Sequence, residues 1–134
     1  MAMLLPVLAL VLLEIGLRLA GYGYATGFFK EVNAGGKQLV IARETFSLRF
    51  FPPELARWPS SMAFATDKPA GTIRIFIFGE SAAMGDPQPA FGAGRYFETL
   101  LKQRFPQQKF EVLNLGITAI NSHVILPIAR DAAK

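Results

Sequence analysis

Three features of the sequence predict an α/β chain. The first is an apolar N-terminal run of helix length. The others are two short, glycine-terminated runs of buried-strand type, "TIRIFIFG", rich in β-branched and aromatic residues, and "KFEVLNLG", each followed by a polar loop and a helical pattern. Together they predict an N-terminal transmembrane helix followed by half of a doubly wound unit with parallel strands. The expected organisation is an anchor over 1–21, a linker with short strands and turns over 22–71, and a partial α/β domain over 72–134. A chain of 134 residues has room for one small domain plus attachments.

Composition narrows the chemistry. The 14 basic and 10 acidic residues give a net charge of +4. They are scattered singly, and no window forms the basic stripe that nucleic-acid binding requires, so no nucleic-acid partner is expected. There is no cysteine, which excludes disulfides and thiolate metal sites. The single histidine, His123, leaves no cluster from which to build a zinc site, so no metal is expected. No cofactor is expected either: no GxGxxG follows the first buried strand, nor does a GKS or GKT.

The N-terminal run, "MAMLLPVLALVLLEIGLRLAGYGY", is apolar from Met1 to Leu13, resumes after Glu14 and fades at Gly21 and Gly23. A spanning helix needs roughly 20 apolar residues, a length reached only if Glu14 and Arg18 are accommodated. Their i,i+4 spacing lets them pair on one helix face. Arg18 can also snorkel, and Tyr22 and Tyr24 fall where an aromatic belt is expected. A cleaved signal peptide fits less well, because no Lys or Arg precedes the apolar run. An intramembrane carboxylate usually faces protein, so Glu14 and Arg18 predict a contact with other transmembrane subunits of a complex.

The middle segment is rich in breakers, among them Gly27, Gly35, Gly36, Pro52, Pro53, Pro59 and Pro69. "KQLVIA" and "TFSLRF" alternate and predict a hairpin, and "PPELARW" predicts one helical turn entered through proline. Trp58 and Phe64 read as small-core residues, or alternatively as contacts to a partner or a membrane surface.

In the α/β unit, "FGAGRYFETLLKQRF" carries apolar residues at 97, 100, 101 and 105, the spacing of one helix face, and Pro106 stops it. A helix from a Ser122 cap is expected over "SHVILPIARDAAK", with Pro127 kinking or delaying it. Functional sites in such sheets lie at the carboxyl ends of the strands, which places the loops Gly79–Asp86 and Gly116–His123 at one edge. A serine just past a strand end sits among backbone N–H groups able to hold an oxyanion, yet it needs a base. A G-x-S-x-G elbow is excluded because Ala83 stands at the second glycine position. On spacing alone Ser81 reads as a helix cap ahead of a nucleophile.

With both loops in hand, the sequence resembles the SGNH (GDSL-type) hydrolase family. "RIFIFGES" is similar to the family's first block, with Ser81 at the nucleophile position after Gly79, and "EVLNLGITAINSH" is similar to the second block. The likeness extends to a membrane-anchored branch with "LEIGLRLAGY" and "KPAGTIRIFIFGESAAMG". The resemblance implies a flavodoxin-like three-layer α/β/α fold, of which this chain holds the first half. It also implies ester hydrolysis on envelope glycans or lipids at the extracytoplasmic, periplasmic side. Glu80 replaces the family's aspartate, and its second-block glycine falls on Ala119, where a backbone donor survives. The asparagine block and the Asp-x-x-His block that supplies the base do not occur within these residues. Asn121 either reaches toward Ser81 across the strand ends or bonds its own backbone in an Asx turn. His123 reads as a loop or cap residue.

Half a doubly wound sheet leaves an edge and an apolar face open, which predicts either a longer protein or completion by a partner. Two functions are therefore expected: a membrane-anchored accessory subunit on a non-catalytic SGNH-like half-domain, or the N-terminal part of a serine esterase.

Overall fold

A computed structural model describes residues 4–134. The first helix, α1, covers Leu4–Leu19, 16 residues with none buried. At about 1.5 Å per residue it reaches roughly 24 Å, short of the ~30 Å hydrocarbon thickness of a bilayer. Among the described residues no helix is long and apolar enough to cross a membrane. This corrects the expected transmembrane anchor and, with it, the single-pass extracytoplasmic placement.

The physical reason lies at both charge and cap. Glu14 and Arg18 pair at 2.7 Å, as their spacing predicts, and so place an ion pair inside the apolar run. The helix then closes in a Schellman motif: Tyr22 N–H donates to the Leu17 carbonyl at 2.9 Å and Gly21 N–H to that of Arg18 at 3.0 Å. Gly21 takes the left-handed conformation, φ +69°, that this motif requires.

Residues 22–71 hold a three-stranded antiparallel sheet in the order β1–β2–β3, with β1 Phe29–Ala34, β2 Lys37–Ala42 and β3 Ala63–Ala65. Phe29 pairs with Ala42 and Ala34 with Lys37, joined by a two-residue Gly35–Gly36 turn. "KQLVIA" is thus a strand as expected, but its partner is "FKEVNA" rather than "TFSLRF". The latter coils into a 3-10 turn over Glu44–Arg49 that buries Phe46 and Ser47. A hairpin with "TFSLRF" would have lifted Phe46 out of contact with Phe28, whose ring it meets edge-on at 5.1 Å. "PPELARW" gives the predicted proline-led turn, Pro53–Leu55.

The α/β unit contains β4 Thr72–Ile77, a four-residue turn of helix α2 Ser81–Met84, α3 Ala93–Arg104, β5 Lys109–Asn114 and α4 Ser122–Ala132. Strands β4 and β5 are parallel, with Thr72 opposite Lys109 and Ile77 opposite Asn114. The ladder runs on past both strands, since Leu115 N–H reaches Ile77 O at 2.8 Å and Ile117 N–H reaches Gly79 O at 3.2 Å. Alternation along β5 sends side chains to two faces. On one side Gly94 of α3 sits against Ile77 and Asn114. On the other, Leu113 and Leu115 join Val124 and Ile128 of α4 and Phe28, Val40, Phe46 and Phe64 of the N-terminal unit in one core.

The segment expected as a linker therefore supplies much of the core that backs the parallel strands. Arg74 fastens the two sheets: it pairs with Glu111 across the ladder at 2.6 Å and donates to Ala65 O of β3 at 2.9 Å. Asp131 near the end of α4 accepts Phe28 N–H at 2.8 Å. Burial would push the Asp131 carboxyl up, but hydrogen bonds from Lys134 and Phe28, with the Lys134 and Arg49 charges, outweigh it and hold the carboxyl below its ordinary value. Helix α3 ends before Pro106 as predicted, although Phe97, Leu100 and Phe105 of its apolar set remain exposed.

Candidate functional site

The loops after β4 and β5 meet at the carboxyl edge of the parallel pair. After Gly79 the chain turns at Glu80 into α2, and Ser81 is the first residue of that turn. The N-cap position is held by Glu80, and no side-chain hydrogen bond caps the turn. The cap reading of Ser81 is therefore not the one realised. Its side chain is half-buried at the strand mouth. Gly79 is needed for closeness: a Cβ there would lie 2.5 Å from that of Ala83.

Two residues of β5 and its loop clamp this turn. Asn114 Nδ2 donates to Ala83 O at 2.6 Å, while Asn114 Oδ1 accepts Gly116 N–H at 3.0 Å. The carboxamide thus holds the carbonyl end of α2 with one arm and the second loop with the other. Gly116 lies so close beneath α2 that a Cβ would be 2.7 Å from the Met84 nitrogen. Further out, Thr118 Oγ1 donates to Asp86 Oδ2 at 2.9 Å, closing the mouth with a second loop-to-loop bond.

Ala119 has φ +61°, the one non-glycine residue with positive φ among those described. A left-handed alanine costs roughly 1 kcal/mol, and it falls at the position where the resemblance places a glycine. Among the described residues the backbone N–H groups of Ser81 and Ala119 find no protein acceptor. Asn121 resolves to the local alternative: it is the N-cap of α4, accepting His123 N–H at 3.0 Å and Val124 N–H at 3.4 Å. The cap is one residue earlier than the Ser122 expected. The helix runs through Pro127, whose missing N–H costs only a bond to the exposed first turn. His123 is exposed and meets the Phe50 ring edge-on at 5.8 Å, on the side of the N-terminal unit.

No family model matches the chain, and no curated protein or solved structure matches it either.

Sequence reasoning located both loops but missed what joins them. Asn114 was legible as a polar residue breaking the apolar run of "EVLNLG", while the Thr118–Asp86 bond depends on how the loops cross and leaves no local signal. Arg57 and Trp58 were also missed as site neighbours. With Pro59, Met84, Asp86 and Thr118 they line an open groove of about 490 Å³ beside α2. Among the described residues no group of three or more His, Asp or Glu is placed to hold a metal ion.

Proposed function

We propose that residues 72–134 carry the nucleophile and oxyanion-donor half of an SGNH-type acyl-hydrolase site, with Ser81 as the attacking group. Support comes above all from one arrangement: an uncapped serine on a turn that Asn114 and Gly116 lock against a second loop, whose left-handed Ala119 offers an unpaired backbone N–H. In such a site the Ser81 Oγ–H proton must leave as Oγ attacks an ester carbonyl, and the N–H groups of Ser81 and Ala119 would receive the developing oxyanion.

The general base is not supplied within these residues. His123 is turned to Phe50, and the Asp86 carboxylate accepts from Thr118 Oγ1. Turnover requires a base that these residues do not set beside Ser81. Without it the chain acts as an accessory scaffold, a second reading favoured by the uncovered apolar surfaces of α1 and α3.

Chemical replacement of the base separates the two. With 4-nitrophenyl acetate and added imidazole, wild-type protein is expected to hydrolyse the ester faster than the Ser81→Ala variant at every imidazole concentration. Identical rates for the two proteins would leave the scaffold reading standing.

A further inference from the structure

Beside α2, the groove between Arg57–Trp58–Pro59 and the Met84–Asp86–Thr118 wall has features that nothing in the Ser81 chemistry requires. Trp58 is the only tryptophan of the chain and is 53% exposed, which leaves its indole face available to a ligand. Its neighbour Arg57 is exposed, and among the described residues no carboxylate lies within ion-pair distance of it. Pro59 lines the groove beside them, as does Met84, the last residue of the turn that Ser81 opens. The two residues are presented by an extended stretch that leaves the Pro53–Leu55 turn at buried Ala56, so they reach the groove from a fixed base.

Both charge signs are present among the residues lining the groove. Asp86 has one oxygen committed to Thr118, and Arg57 is the groove's only cation. A ligand that satisfies all of this has a flat apolar body to lie on Trp58 and Pro59. It carries an anionic oxygen group for the planar guanidinium, whose paired N–H donors match a carboxylate or phosphate. A bare acyl chain would leave Arg57 unanswered, and a cationic ligand would meet its repulsion.

We propose that this groove binds the non-reacting part of the substrate, and that this part is a flat, ring-bearing group carrying a carboxylate or phosphate, with Arg57 as the specificity-determining residue. The inference rests on Ser81 being the reactive centre for its placement as a substrate subsite, but binding in the groove is measurable without any turnover.

Trp58 is its own reporter. The intact chain is titrated with 4-nitrobenzoate, with 4-nitrophenyl phosphate, and with neutral 4-nitrobenzamide, whose nitroaryl rings quench indole fluorescence. Saturable quenching by one or both anions and only linear, collisional quenching by the amide is the expected result, and the tighter of the two anions identifies the source of the charge. Arg57→Ala should weaken anion binding about tenfold or more, as expected for losing one charge-assisted contact. Arg57→Lys should recover part of it, and Asp86→Asn should strengthen it by removing a like charge. Ser81→Ala should bind as wild type does. Linear quenching by all three compounds, or equal saturation by amide and anions, would overturn the proposal. Saturable anion binding alongside imidazole-assisted hydrolysis that does not depend on Ser81 would instead retain the groove and reject the nucleophile.

Discussion

Ala119 concentrates the site's residue-scale argument. A left-handed alanine stores steric strain that a glycine at the same place would not carry. Replacing Ala119 by glycine is therefore expected to raise stability by roughly 0.5–1 kcal/mol, despite the extra freedom of glycine in the unfolded chain. Urea unfolding of the variant checks this, and a loss of stability would mean that the loop does not hold φ near +61° in solution. Ser81 and Asn121 show how far single residues could be read from sequence. Both are polar residues in the loops that follow a parallel strand, and spacing cannot say which one caps a helix. The decision depends on the residue's own φ and ψ, which are extended at Asn121, and on whether its side chain meets the N–H groups two and three residues on. Those settle Asn121 as a cap and leave Ser81 free of that duty.

Among the secondary-structure elements, the parallel strands were the most legible. "TIRIFI", rich in β-branched residues, and the apolar "KFEVLN" are short and followed by polar turns, and they pair in register as β4 and β5. Helix α3 and its proline stop were equally plain. The first sheet was not, because "FKEVNA" sets Phe29, Val32 and Ala34 three and two residues apart, without clean alternation, and is held as a strand by pairing with β2. Helix α1 shows the opposite failure. Hydropathy suggests a span, but the Glu14–Arg18 pair interrupts the apolar run and the Gly21 cap closes the helix at its C-terminal end. The docking of α2 on β5 gives a sharp prediction for this scale. Gly116→Ala drives a methyl into backbone rather than into a flexible side chain, so it should cost about 1–3 kcal/mol. Thermal unfolding measures the loss, and an unchanged midpoint would mean that α2 does not press on the β5 loop.

Over the whole molecule, the parallel pair depends on the N-terminal unit, because α4 and the antiparallel sheet share its core. Asp131 is the polar link in that packing, tying α4 to the backbone at Phe28. Its carboxyl is held below the ordinary value, so its ionised form is the one the fold favours. The stability it adds is present above the unfolded carboxyl value of about 3.9 and is lost as pH falls through the lower folded value. Asp131→Ala should cost about 1.5–3 kcal/mol near neutral pH, the range for a hydrogen bond to a charged group. The variant should also lose stability less steeply than wild type when acidified below about pH 4. Parallel acid-unfolding curves for the two proteins would contradict this link. None of this coupling was visible in the sequence, where Phe28 and Asp131 stand 103 residues apart.

We have proposed that the two loops assemble around a half-buried nucleophile at Ser81. The most direct test is to treat the intact chain with a fluorophosphonate in the presence of imidazole and to map the adduct by peptide mass spectrometry. A phosphonyl group on Ser81, absent in Ser81→Ala and reduced when Gly116→Ala loosens the turn, is the predicted result. No adduct at any imidazole concentration, or an adduct spread evenly over the exposed serines, would contradict it.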